Sequence, residues 1–337
     1  MDEKYYAHWS EDGRKQTVLA HLLCTAMLCA QFAEKFGEKA LGYWAGLLHD
    51  IGKFTQAFQK RLFCGGKKVD HSTAGAWESK AYLPISLCIM GHHSGLPDLG
   101  GRTDKGKPTY FGRMNKAKSG QLEPYDAWKQ EVELPQAPKM EPKTELELDF
   151  LIRMLYSCLV DADFLDTETF MNGRAAPRGG GEGIPALLEK ARTQAERYLG
   201  AESTTPVSRQ RNAVLQACLD KGAHGPQGLY TLTVPTGGGK TFASLAFALE
   251  HAAAQGMKRV IYVIPYMSII DQTAANFTKL LGEENVLADY SSAEYKTTNT
   301  EDLTPAQYRQ LLASENWDAP VIVTTAVQFF ESLYANR

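Results

Sequence analysis

Apolar residues recur at helical spacing through most of the first half of the chain. In TVLAHLLCTAMLCAQFAEKFG (17–37) they return every three or four positions, which predicts an amphipathic helix closed by Gly37. LGYWAGLLHDIGKFTQAFQKRL (41–62) continues in the same period, and STAGAWESKAYL (72–83) and LPISLCIMG (83–91) predict two shorter helices. Residues 94–143 lose the pattern and are rich in Gly, Pro and Lys, which predicts a long loop or insertion. Helical spacing returns over 144–170. NGRAAPRGGGEGIP (172–185) then has the composition of a linker, and a further helix follows over 186–199.

Beyond that point the period changes. YTLTV (230–234), RVIYVI (259–264) and APVIVTT (319–325) are short β-branched runs. FASLAFALEHAAA lies between the first two, and SIIDQTAANFTKLLG follows the second. Strands alternating with helices predict a parallel sheet covered on both faces. The fold class is therefore multi-domain, α followed by α/β: an all-helical unit over 1–171, a linker over 172–185, and an incomplete α/β unit over 186–337. A length of 337 residues accommodates two cores.

Composition changes this picture little. The 44% hydrophobic and 22% charged fractions are those of a soluble globular protein. Six cysteines without CxxC spacing read as reduced residues of a cytoplasmic protein, and the acidic start MDEKYYAHW does not read as a signal peptide. No apolar run reaches the length of a membrane span, so no membrane partner is expected. The net charge of −3 gives no global basic field. One local run, RTDKGKPTYFGRMNKAK (102–118), sets Arg102, Lys105, Lys107, Arg113, Lys116 and Lys118 against Asp104 alone. It is a candidate nucleic-acid contact, with a solvated loop as the alternative.

The histidines change it more. Of eight, six fall within the first 93 residues. His8 lies in a polar leader and is set aside. His21, His49, His71, His92 and His93 each sit in or beside a helical segment. In LLHDIGKF (47–54), Leu47, Leu48, Ile51 and Phe54 make an apolar stripe that His49, Asp50 and Lys53 interrupt. A buried carboxylate costs several kcal/mol without a cation or donor. A satisfied His–Asp pair in the core is one answer, and a metal site is the other. LVDADFLDTE adds Asp161, Asp163 and Asp166 on a predicted helix. Mixed imidazole and carboxylate ligands suit first-row metals such as Mn, Fe, Co, Ni or Zn. A set of six or seven is enough for two ions sharing a carboxylate, an arrangement suited to phosphoester cleavage.

The order H…HD-x-x-K…H…HH…D, read as His21, His49-Asp50, Lys53, His71, His92-His93 and Asp163, resembles the HD phosphohydrolase superfamily. More closely, it resembles the HD nuclease domain of the CRISPR-associated helicase-nuclease of type I systems, with HHSG and LVDADFLDTE most like the type I-C branch. The resemblance implies that Asp50 bridges two divalent transition-metal ions, with Mn, Ni, Co or Fe expected. It implies His21, His49 and Asp163 on one ion, and His71, His92 and His93 on the other. Asp161 is the alternative to Asp163. Lys53 is implied at the scissile phosphate or in proton transfer, and Asp50 and Lys53 as catalytic residues.

TVPTGGGKT (233–241) is placed to close a strand and open a helix, as a phosphate-binding loop requires. Thr236, Gly237, Gly238 and Gly239 would approach the phosphates, Lys240 would reach the β/γ groups and Thr241 would ligate Mg²⁺. Val234 stands where the strict pattern has glycine, and the P-T-G-x-G-K-T variant is similar to superfamily 2 helicases. VIYVIPYMSIIDQTA (260–274) and VIVTTAVQFFESL (321–333) resemble DNA-contacting motifs of the same CRISPR-associated family, and Gln210 is a candidate adenine reader. The second unit thus resembles part of a RecA-like lobe. No DExH-type Walker B follows Thr241. The chain is accordingly expected to be an N-terminal piece that binds ATP weakly and without useful turnover, with ATP and Mg²⁺ at this loop in the full-length protein.

The resemblance implies a nuclease that cleaves single-stranded DNA in CRISPR interference. Its implied partners are the crRNA-guided type I surveillance complex (Cascade) and, as a further candidate, an anti-CRISPR inhibitor. A nucleotide phosphohydrolase and a non-catalytic docking module are the alternatives.

Overall fold

Asp12-Gly13 turns the chain between two short antiparallel strands, β1 (Tyr6–Trp9) and β2 (Lys15–Thr17). Gly13 takes the left-handed conformation that such a turn needs, at φ 87°. The pairing carries a bulge between Tyr6 and His8. This hairpin was missed in the sequence because the runs of four and three residues flanking Asp12-Gly13 are too short to show alternation. The computed structural model describes residues 4–140, 142–175, 180–202, 205–291 and 305–334. The chain divides near residue 176 into two compact units.

In the first unit, Thr17 caps α1 (Val18–Ala33) by accepting from the Ala20 N–H. Val18, Leu22, Ala26, Cys29 and Ala33 form its buried stripe. A short 3₁₀ turn ends at Gly37 (φ 87°), and α2 (Lys39–Leu48) packs back against α1. The two helices pack closely because Gly46 has no Cβ: one built there would lie 2.5 Å from the Ala26 Cα. The helical period read over 41–62 is not one helix. It breaks after Leu48, passes through a 3₁₀ turn (Ile51–Phe54) and restarts as α3 (Gln56–Cys64), capped by the Thr55 hydroxyl. Ile51 and Phe54 stay buried through the break, so the core keeps its apolar stripe.

The next helices are α4 (Ser72–Glu78) and the buried α5 (Leu83–Gly91). Within 94–143, expected to be a loop or insertion, α6 (Tyr110–Lys118) and α7 (Trp128–Glu131) form, and Tyr110, Met114 and Trp128 anchor them in the core. The long α8 (Glu145–Asn172) closes the unit and ends at Gly173. Four residues of the expected linker, 176–179, lie outside the described residues.

The second unit opens with α9 (Ile184–Gly200) and α10 (Pro206–His224), then α11 (Lys240–Ala254) after the glycine-rich loop. It continues with β3 (Val260–Ile264), α12 (Met267–Leu281), β4 (Val286–Asp289), α13 (Pro305–Asn316), β5 (Val321–Thr325) and α14 (Ala326–Tyr334). The sheet is parallel in the order β3-β5-β4, as alternating strands and helices require. Two expectations fail. Residues 230–234 form no strand: no strand among the described residues pairs with them, and Leu232 is 40% exposed. Cover on both faces is incomplete, because Ile261 and Val263 on one side of β3 remain exposed while the central β5 is buried.

One contact sets the geometry needed below. A Cβ on Gly52 would lie 2.1 Å from the His71 carbonyl oxygen and 2.6 Å from the His71 Cα. Gly52→Ala must therefore push the two segments apart, at a cost of about 1–3 kcal/mol. Thermal unfolding should show the loss, and metal analysis should show fewer ions retained. Wild-type values of both would mean that the contact relaxes freely.

Candidate metal centre

Five elements bring ionisable side chains to one place. His21 projects from the first turn of α1 and Asp163 from α8. His49 and Asp50 occupy the break after α2, where Asp50 leaves helical geometry (φ −119°, ψ 20°). His71 precedes α4, and His92 and His93 follow α5. His21, His49 and Asp50 have no solvent exposure.

Hydrogen bonds fix which ring nitrogen four of the five histidines present. Nδ1 of His49 lies 2.7 Å from the Gly46 carbonyl oxygen, that of His92 lies 2.7 Å from the Ile89 carbonyl oxygen, and that of His71 lies 2.9 Å from the Val69 carbonyl oxygen. His21 Nδ1 lies 2.7 Å from Asp166 Oδ2. Oxygens of this kind accept, so Nδ1 carries a proton and Nε2 is left for the centre.

The Nε2 atoms converge on Asp50. Its Oδ2 lies 3.3 Å from His21 and 3.4 Å from His49, and its Oδ1 lies 3.4 Å from His71 and 3.3 Å from His92. Asp163 Oδ1 is 3.3 Å from His21 and 3.6 Å from His49. Two groups result, His21-His49-Asp50-Asp163 and Asp50-His71-His92-His93, with Asp50 common to both. Asp50 Oδ1 and His92 Nε2 are buried, face each other and have no hydrogen-bond partner. Two acceptors held this way repel unless a cation lies between them. Both groups therefore fit a divalent ion bound by nitrogen and oxygen.

The field at the site is steep. Burial opposes charge on Asp50, yet Lys53 and His49 outweigh it and hold the carboxyl well below its usual range. Burial likewise opposes a charged His49, but Asp50 and Asp163 lift it to about 10. Lys53, which is 4% exposed, places Nζ 2.7 Å from Asp50 Oδ2. Burial and the Lys53 ammonium push His8 down to about 3.

The other candidate residues fall elsewhere. Asp161 joins neither ligand group; two residues from Asp163 along a helix, it points to a different face. Two members of the surroundings had no place in the expected ligand set: Asp166, named only beside Asp161 and Asp163, and His8. Asp166, which also accepts from Gln16 Nε2 at 2.8 Å, orients His21, and its three-residue spacing from Asp163 was the available sign. His8, set aside as leader, sits edge-on to His21 with ring centroids 4.7 Å apart; Asp12-Gly13 was the sign of the strand that carries it.

Within the basic run, Arg113 is committed to the fold. It donates to Thr73 Oγ1, Asp70 Oδ1, Ser72 Oγ and the Met90 carbonyl, bracing the segments beside His71 and His92. Lys107 pairs with Asp104, whereas Arg102, Lys105 and Lys118 are exposed. In the second unit, Gly237 and Gly239 both have φ 83°, and Lys240 is the first residue of α11. Gln210, Thr236, Gly237 and Gly238 line one cavity with Val207 and Arg211.

The chain thus joins a helical unit carrying two convergent His/Asp groups to a parallel α/β unit carrying a glycine-rich loop, and each unit matches a known domain family. Residues 18–110 match the HD domain family, and residues 203–336 match the family described as type III restriction enzyme, res subunit. The chain is 26% identical to the CRISPR-associated nuclease/helicase Cas3 of Haloferax volcanii over 86% of its own length and 39% of that protein. It thus spans about two-fifths of the length of the curated relative it matches. In fold it is similar to T. fusca Cas3-AMPPNP (TM-score 0.59, 19% identity, covering 96% of this chain and 43% of that one). It is also similar to T. fusca Cas3-ADP (TM-score 0.57, 19% identity, 97% and 44%). No helix among the described residues is long and apolar enough to cross a membrane.

Two outcomes follow from the geometry. Asp166→Ala frees the His21 ring, and Mn²⁺ affinity should fall about 10- to 100-fold, read by calorimetry; an unchanged affinity would show that α1 alone orients the ring. Metal binding must also displace the proton that Asp50 and Asp163 hold on His49. Mn²⁺ affinity should therefore rise with pH from 6 to 9, by at most about tenfold per unit per displaced proton. Titration in two buffers of different ionisation enthalpy would show proton release at pH 7, and its absence would contradict the charge state given to His49.

Proposed function

We propose that the helical unit is a metal-dependent nuclease that cleaves single-stranded DNA phosphodiesters with two divalent ions sharing Asp50. The observation that carries this reading is the pair of ligand groups meeting at one buried carboxylate, with an unpartnered nitrogen and oxygen facing each other. Ions held there would supply Lewis-acid polarisation of a phosphoryl oxygen and of the attacking water. His21, His49 and Asp163 would hold one ion and His71, His92 and His93 the other, with Mn, Ni, Co or Fe suited to the donor set. Asp50 would set the spacing between them. Lys53, whose ammonium lies at the carboxylate, would contact the phosphate.

Single strands fit the local surface. Lys105, Lys107 and Lys116 line one cavity with Asp70, the residue before His71, and with Arg113, which the fold holds. Lysines grouped in this way would follow an exposed backbone without reading sequence. In the second unit, the cavity of Gln210 and Thr236–Gly238 supports ATP binding, and Lys240 and Thr241 would complete the phosphate and Mg²⁺ contacts. The similarity to Cas3 supports a place in CRISPR interference beside a crRNA-guided surveillance complex, which would also be the context for an anti-CRISPR inhibitor.

The test is incubation of the chain with circular single-stranded DNA and Mn²⁺, Ni²⁺ or Co²⁺, with and without chelator. Cleavage should require metal and should fall at least about 10²-fold in Asp50→Ala. Metal bound at both groups without cleavage of any single-stranded substrate would overturn the nuclease reading.

A further inference from the structure

The N-terminal hairpin is built to aim one side chain at the centre. Tyr6 pairs with Thr17, but His8 pairs with Gln16 and Trp9 with Lys15, so Ala7 and His8 together oppose one residue of β2. Residues paired across strands point to the same face. His8 therefore shares the face of Gln16, whose amide reaches Asp166. Trp9 shares the opposite face with Lys15, whose ammonium lies 5.4 Å from the indole centroid. Without the extra residue, simple alternation would pair His8 with Lys15 and turn it outward.

The hairpin is also held in register from both sides. Gln59 accepts from the Tyr6 N–H at 3.0 Å, donates to the Tyr6 carbonyl at 2.9 Å and donates to the Lys53 carbonyl at 2.8 Å. Arg14 donates to the Met171 carbonyl at 3.0 Å, at the end of α8. The strand carrying His8 is thereby fixed against the turn carrying Lys53 and the helix carrying Asp163.

His8 Nε2 lies 3.3 Å from Lys53 Nζ and 3.3 Å from Thr167 Oγ1. An ammonium has no lone pair, so Nε2 accepts and the ring proton sits on Nδ1. The Phe58 ring lies 5.5 Å from the same ammonium, and Asp50 Oδ2 takes another of its protons. His8 belongs to neither ligand group.

We infer that His8 is a positioning residue that fixes the Lys53 ammonium on Asp50 by accepting its hydrogen bond at Nε2. Its consequence for cleavage rests on the nuclease reading above, whereas the hydrogen bond itself does not. Nitrogen NMR of the histidine rings in the full chain, assigned with His8→Gln, tests the bond: His8 should be the Nδ1–H tautomer with an unprotonated Nε2. An Nε2–H tautomer would overturn the inference whether or not the protein cuts DNA. Where it cuts, His8→Phe keeps a ring without the acceptor and should lower kcat about tenfold or more at unchanged KM and metal content. His8→Gln, which restores an acceptor, should recover most of that loss. Wild-type kcat in His8→Phe, or equal impairment in two metal-replete variants, would refute the role. If wild type with metal bound at both groups cuts no single-stranded substrate, the nuclease reading fails and the tautomer still decides the bond.

Discussion

Asp50 is a carboxylate with no solvent exposure, and the helical unit is arranged around neutralising it. Burying such a group without compensation costs several kcal/mol. At one oxygen Lys53 and His49 supply the compensation, with His21 beside them, whereas the other oxygen faces the ring nitrogens of His71 and His92 and is left for a cation. No single helix can supply these groups, because side chains on one helix diverge around its axis. The requirement that five elements meet at one carboxylate therefore constrains the packing of the whole unit.

That packing depends on small residues and anchored rings. Gly46 lets α2 lie against α1, and Gly52 lets the turn after Asp50 touch the backbone of His71. Four of the five imidazoles are then held by the far nitrogen, three by backbone carbonyls and His21 by Asp166. Backbone carbonyls cannot be altered by substituting the residue that bears them, so three of the four ring orientations are written into the chain path itself. Arg113 does comparable work outside the ligand set, tying the segments of His71 and His92 together through Asp70, Ser72, Thr73 and the Met90 carbonyl.

The second unit follows a different logic. Its sheet buries β5 between β3 and β4. The Arg192 guanidinium grips both oxygens of Glu250 at 2.7 Å, tying α9 to α11. The glycine-rich loop takes positive φ at Gly237 and Gly239, and Arg211 donates to the Gly237 carbonyl at 2.7 Å. A strand needs a neighbour for its backbone groups. Residues 230–234 have the composition of one but no partner strand among the described residues, and they remain irregular.

Periodicity by itself determined the helical character of the first unit and the alternation of the second, because burial of an apolar face imposes a period of 3.6 or 2 on local sequence. The ordered set from His21 to Asp163 was also legible, since no ordinary core needs so many imidazoles. Tertiary structure alone decided the rest. It broke the helix after Leu48, where the apolar stripe runs on without interruption, and it brought Asp163, but not Asp161, into a His/Asp group by helix face. It drew Arg113 from a basic run into the fold. It also brought His8 and Asp166 to the centre, through a bulge in a strand of four residues and a hydrogen bond spanning 145 positions. Such contacts leave no period in the sequence, because they depend on which segments meet and not on what either segment does alone.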